Sequence, residues 1–152
     1  MTTQETRMTI RKAISVSCPV EHAFATFTDR IATWWPLGTH SIGEERAQTC
    51  VFEGRVGGRL YEIWDDGTEC DWGAVTAWEP PHRIVFSWQP NPESPAPTEV
   101  ELCFAAEGDG TRVEVEHRGW ERLGDRAAEA YESYDSGWSG VLSIFAKAAA
   151  GA

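Results

Sequence analysis

His117 stands in the stretch "TRVEVEHRGW", where Thr111, Val113, Val115 and His117 occupy alternate positions and Arg112, Glu114, Glu116 and Arg118 fill the gaps. Strand side chains point alternately to opposite faces, so the charges share one side and the imidazole shares the other with the valines. Two readings follow. The ring faces a cavity, where it hydrogen-bonds a guest or moves a proton, as an ordinary pKa of about 6.5 allows. Alternatively it is a buried neutral imidazole satisfied by a backbone carbonyl or an indole N–H. One histidine makes no catalytic set, so no catalytic residue is assigned.

Glu62 is the second polar candidate. In "GRLYEIW", Leu60, Glu62 and Trp64 share one face while Arg59, Tyr61 and Ile63 share the other, so both faces are mixed. With Leu60 and Trp64 inward, a carboxylate goes in with them and needs a partner: His117, the loops near Arg59 or a tryptophan N–H. In the opposite register Glu62 is solvated. A Glu62–His117 pair would make a proton-transfer or anchoring dyad, although spacing does not fix their separation.

The other histidines, His22, His40 and His82, fall on a helix, a loop and a proline turn. They form no metal-ligand spacing. "VGGR" lies between two strands as a bend rather than a phosphate cradle. No pattern implies a cofactor. Tryptophan, by contrast, occurs eight times in 152 residues, and its large body with one N–H suits both cores and pocket walls. The aromatic candidates for a ligand site are Trp34, Trp72, Phe86, Trp88 and Phe104, joined by Tyr131 and Trp138 near the C-terminus. Trp35 would cover the rim, and Trp120 would cover an edge or meet a partner.

The elements that must hold these residues belong to one domain, residues 1–152, long enough for a real core. A formal charge of −11, with basic residues dispersed, argues against nucleic acid and anionic lipid as partners. "MTTQETRMTI" has no apolar signal region and no stretch is long enough to span a membrane, so a cytoplasmic protein is expected. The four cysteines are far apart and read as reduced.

"MTIRKAISVS" reads as a first strand. "CPVEHAFATFTD" and "RIATWW" read as short helices, the first opening at Pro19 and the second capped by Asp29. "PLGTHSIGEER" is a loop. "AQTCVFEG", "GRLYEIW", "CDWGAVTAWE", "IVFSW", "TEVELCFAAE" and the opening stretch follow as strands, with hairpin turns at "DDGT" and "GDGT". "QPNPESPAP" is a proline-rich loop. Tyr131, Tyr134, Trp138 and Phe145 recur at helical spacing, so a long helix starting near Asp125 is expected. Gly137 and Gly140 cost it about 1 kcal/mol each, which predicts a bend or break near Gly137. The fold class is therefore α+β: a curved antiparallel sheet of about seven strands wrapped around a C-terminal helix, with a gap between them roofed by the short helices.

That order, with "RVGGRLYE", "DDGTECDWGAVTAWEPPHRIVFSW" and "GTRVEVEHRGWERLG", resembles the START-like SRPBCC superfamily and its helix-grip fold. Within it, the chain is similar to homologues of the activator of the 90-kDa heat-shock chaperone ATPase. The resemblance implies a hydrophobic cavity between sheet and helix. Three functions are expected from it: binding of a small apolar, aromatic or lipid-like molecule; partnership with a chaperone in stress response; or a cyclase or hydratase reaction with His117 as acid–base group. Monomer and homodimer are both compatible with the sequence. Fold alone does not choose among these.

Overall fold

The computed structural model describes residues 9–89 and 96–150. The N-terminal residues in which no signal region was expected, and most of the proline-rich loop, lie outside the described residues. Strand β1 (Ile10–Val16) leads to helix α1 (Val20–Phe27), then to 3-10 turns at Ile31–Thr33 and Glu44–Arg46. Six strands follow: β2 (Ala47–Phe52), β3 (Arg59–Trp64), β4 (Glu69–Glu79), β5 (Arg83–Trp88), β6 (Thr98–Glu107) and β7 (Gly110–Arg118). A 3-10 segment (Trp120–Arg126) delivers the chain into helix α2 (Ala127–Ala150).

The seven strands form one antiparallel sheet in the order β1-β7-β6-β5-β4-β3-β2. Hairpins build β2 through β7, and β1 closes on β7 with Ile10 opposite His117 and Ile14 opposite Val113. Alternation drives this register: Thr111, Val113, Val115 and His117 are buried, while Arg112 and Glu114 face solvent. Irregularities at Ala47/Thr49, Leu60/Tyr61 and Val75/Ala77 interrupt the ladders of β2, β3 and β4. Such bulges bend and twist a sheet. Gly73 sits in this bent part, where a Cβ would overlap the Ser87 carbonyl oxygen.

The concave face receives α2 through Trp138, Val141, Leu142, Phe145 and Ala149, all buried. At the C-terminal half of α2, Phe27, Trp34 and Phe145 meet pairwise with ring centres 5.4 Å apart. This end is filled with aromatic rings. Lys12 on β1 and Asp135 on α2 form an ion pair at 3.4 Å on the rim.

Several expectations need correction. α2 does not bend or break at Gly137; it runs unbroken from Ala127 to Ala150. Burial of its aromatic face outweighs the propensity cost of two glycines, because helices in proteins are held chiefly by packing. It begins at Ala127, two residues past Asp125, where the 3-10 segment ends. Pro19 precedes the first helical residue, with extended ψ of 157°. Arg30, not Asp29, adjoins the Ile31–Thr33 turn, and no side chain caps it. Trp120 neither covers an edge nor faces a partner surface: it is 1% exposed. Gly119, with φ of 92°, turns the chain sharply after β7, and Trp120 folds back beneath His117 and Tyr134.

Candidate functional site

His117, on β7, is completely buried. The Trp138 indole N–H, which can only donate, points at its Nδ1 from 2.9 Å. Nδ1 is therefore the acceptor, the ring proton belongs on Nε2, and Nε2 donates to Thr98 Oγ1 at 2.6 Å. The Thr98 hydroxyl in turn donates to the Trp88 carbonyl at 3.1 Å. Burial pushes the imidazole down to about 3. The ring is a neutral rivet between Trp138 of α2 and the β5–β6 pair. Both nitrogens are engaged by protein, leaving neither for a guest or for the expected acid–base role.

Glu62, on β3, is also completely buried, in the inward register with Leu60. Its Oε1 accepts from the Ile42 N–H and the Trp72 indole, both at 2.6 Å. Its Oε2 accepts from the Gly43 N–H and the Trp64 indole, both at 2.7 Å. Four donors and, among the described residues, no cation surround the two oxygens, so the side chain clamps the loop before β2 onto the sheet. Of its expected partners the indole N–H is the one present. Glu62 and His117 do not pair. Cys50, opposite Glu62 on β2, has its thiol pushed up to about 12 by burial and then by that carboxylate.

Between these two anchors lies a cleft of about 320 Å³, open to solvent along one side. Trp35, Trp88, Tyr134 and Trp138 wall it. The clamped loop contributes Thr39, His40 and Ser41, and α2 contributes Ser133, Gly137 and Val141. Among the described residues no Lys, Arg, Asp or Glu side chain lines it. Trp35 is fixed by donating to the His40 carbonyl at 2.8 Å. Burial raises the Tyr134 phenol, with the neighbouring Trp88 indole acting the other way, so a neutral hydroxyl faces the site. The Trp88 N–H is buried beside that hydroxyl yet, among the described residues, meets no acceptor in hydrogen-bond geometry. Beyond Trp88 and Tyr134 a second hollow, about 460 Å³, has charged Arg126 and Glu129 in its wall.

Of the residues expected to bind a ligand, Trp88 and Trp138 line the cleft. Trp72 lies behind it, its ring 5.5 Å from Trp35 and 5.8 Å from Trp88. His117 and Glu62 stand one layer further back. Phe86 packs on Phe52 and Trp88, Phe104 on Phe24, and Trp34 on Phe27 and Phe145. Tyr131 covers Trp120 at 5.8 Å. Tyr134 and Gly137 were not assigned to the site, although their spacing around Trp138 places them on one stretch of helix. Trp35 connects the cluster: it lies 5.7 Å from Trp34 and 5.9 Å from Trp88, which is 6.4 Å from Trp138.

A family model for activator of Hsp90 ATPase homolog 1-like proteins matches residues 17–150. The chain belongs to that family. Among solved structures, the anthrahydroquino-gamma-pyrone synthase Txn09, complexed with SUM, is 38% identical; the match covers 92% of this chain and 96% of that one, with a TM-score of 0.65. The Aha1 dimer from Colwellia psychrerythraea is 21% identical over 93% of this chain and 96% of that one, at a TM-score of 0.66. Protein NE0264 from Nitrosomonas europaea has a TM-score of 0.68 at 14% identity, covering 92% of each chain. The latter two show the shared fold. No curated protein matches the chain.

Proposed function

We propose that this family member binds a neutral, planar aromatic molecule in the cleft beside α2. The observation that carries the reading is the wall itself: three tryptophans and a tyrosine surround a volume of about 320 Å³, with no charged side chain among the described residues that line it. Burying a charged guest there would be costly, while a flat ring system gains both apolar burial and ring–ring contact. Hydroxyls of Thr39, Ser41 and Ser133 offer polar contacts at the mouth. The 38% identity to a synthase named for a fused aromatic product supports the same ligand class. Titration with 1,8-dihydroxyanthraquinone and other uncharged polycyclic aromatics tests it. Saturable quenching of tryptophan emission with a rise in melting temperature is the expected result; a broad panel that changes neither refutes the reading.

That relative also supports a second reading, in which the bound aromatic is cyclised. The imidazole at the cleft is then that of His40, whose Nδ1 lies 2.7 Å from Thr39 Oγ1, and not that of His117. Loss of turnover in His40→Ala with retained binding is the result expected of it. A chaperone partner rests on the family description; stimulation of the chaperone's ATPase by the purified protein is its test.

A further inference from the structure

Gly137 lines the cleft from within α2. The fold gives no reason for a glycine there. Its φ is not in the left-handed region, and a Cβ built on it would meet no atom within 4 Å. Helix interiors disfavour glycine because it loses the most backbone freedom on folding. Ser133, Gly137 and Val141 follow one another at four-residue spacing, so they stack along one side of the helix. Tyr134 and Trp138 flank them and form the walls. The missing side chain therefore leaves bare helix backbone as the floor between two aromatic walls.

A second, independent feature points to a guest at the same place. Trp88, across the cleft, is 7% exposed, and among the described residues its indole N–H makes no hydrogen bond of good geometry, the Tyr134 hydroxyl beside it being poorly aligned. Buried donors are almost always satisfied. An oxygen on a guest in the cleft would give that N–H a well-aligned acceptor.

We infer that Gly137 is a specificity-determining residue: its absent side chain sets the depth of the cleft, so that the edge of a flat aromatic bearing a carbonyl or hydroxyl oxygen seats on the α2 backbone. This rests on the proposed ligand reading. Gly140 supplies an internal control, since it is in the same helix, is equally uncrowded and lies off the cleft.

The experiment compares wild type with Gly137→Ala, Gly137→Leu and Gly140→Ala, using 1,8-dihydroxyanthraquinone as probe. Both alanine variants are expected to melt about 1–4 °C higher, as relief of a helical glycine predicts. Gly140→Ala should bind as wild type. Gly137→Ala should bind at least about fivefold more weakly, because overfilling a packed space costs affinity, and Gly137→Leu should not bind measurably. Wild-type affinity in both Gly137 variants overturns the inference and leaves the aromatic-binding reading intact. Equal weakening in Gly140→Ala, or a lower melting temperature in Gly137→Ala, also overturns it, since either makes the glycine a matter of helix mechanics. Failure of wild type to bind any of the polycyclic panel removes the reading and the inference together.

Discussion

Because the Trp138 indole can only donate, protonating His117 at Nδ1 would set two N–H groups against each other in a space closed to water. The sign of the pH effect follows. The unfolded imidazole takes up a proton at about pH 6.5, whereas the folded one resists until about 3. Stability from this residue is complete above pH 6.5 and is lost as the pH falls toward 3, by on the order of 4 kcal/mol. Denaturant midpoints across that range should fall less steeply for His117→Gln than for wild type; parallel slopes would contradict the buried neutral ring. Glu62→Gln places an amide donor among four N–H donors, which should cost about 2 kcal/mol and accelerate amide exchange at Ile42 and Gly43, measurable by NMR. The inward side of His117 was readable from alternation on β7. That of Glu62 was not, since both faces of β3 carry an apolar pair and its loop partners lie 20 and 19 residues away.

At the scale of elements, the bent part of the sheet depends on Gly73. Its Cα hydrogen faces the Ser87 carbonyl on the neighbouring strand, where no side chain fits. Gly73→Ala should cost at least about 2 kcal/mol and show as a lowered denaturation midpoint, while Gly67→Ala in the β3–β4 turn, with nothing near it, reports only the strain of its φ. Strands and turns were legible because period-two patterning and Asp-Gly pairs are local signals. Helix continuity through Gly137 was not, because it is decided by burial of Trp138, Val141, Leu142 and Phe145 against strands far away in sequence. For the same reason the sequence could not say where along the helix the expected gap lies: one end is packed with Phe27, Trp34 and Phe145, and the opening is confined to the other.

For the whole molecule, binding to the folded chain alone shifts unfolding by mass action. At a free probe concentration a hundred times its Kd, 1,8-dihydroxyanthraquinone should add about 2.7 kcal/mol, or roughly 5–10 °C in a domain of this size, read by differential scanning calorimetry. The indoles also form a relay. Trp34, Trp35, Trp72, Trp88 and Trp138 are linked ring to ring at 5.5 to 6.4 Å, close enough for an absorbed photon's energy to migrate among them before it is emitted. Two of them, Trp34 and Trp72, do not border the cleft, yet their excitation can pass to neighbours that do. A single guest seated there would darken the network as a unit, making the protein its own optical reporter of occupancy.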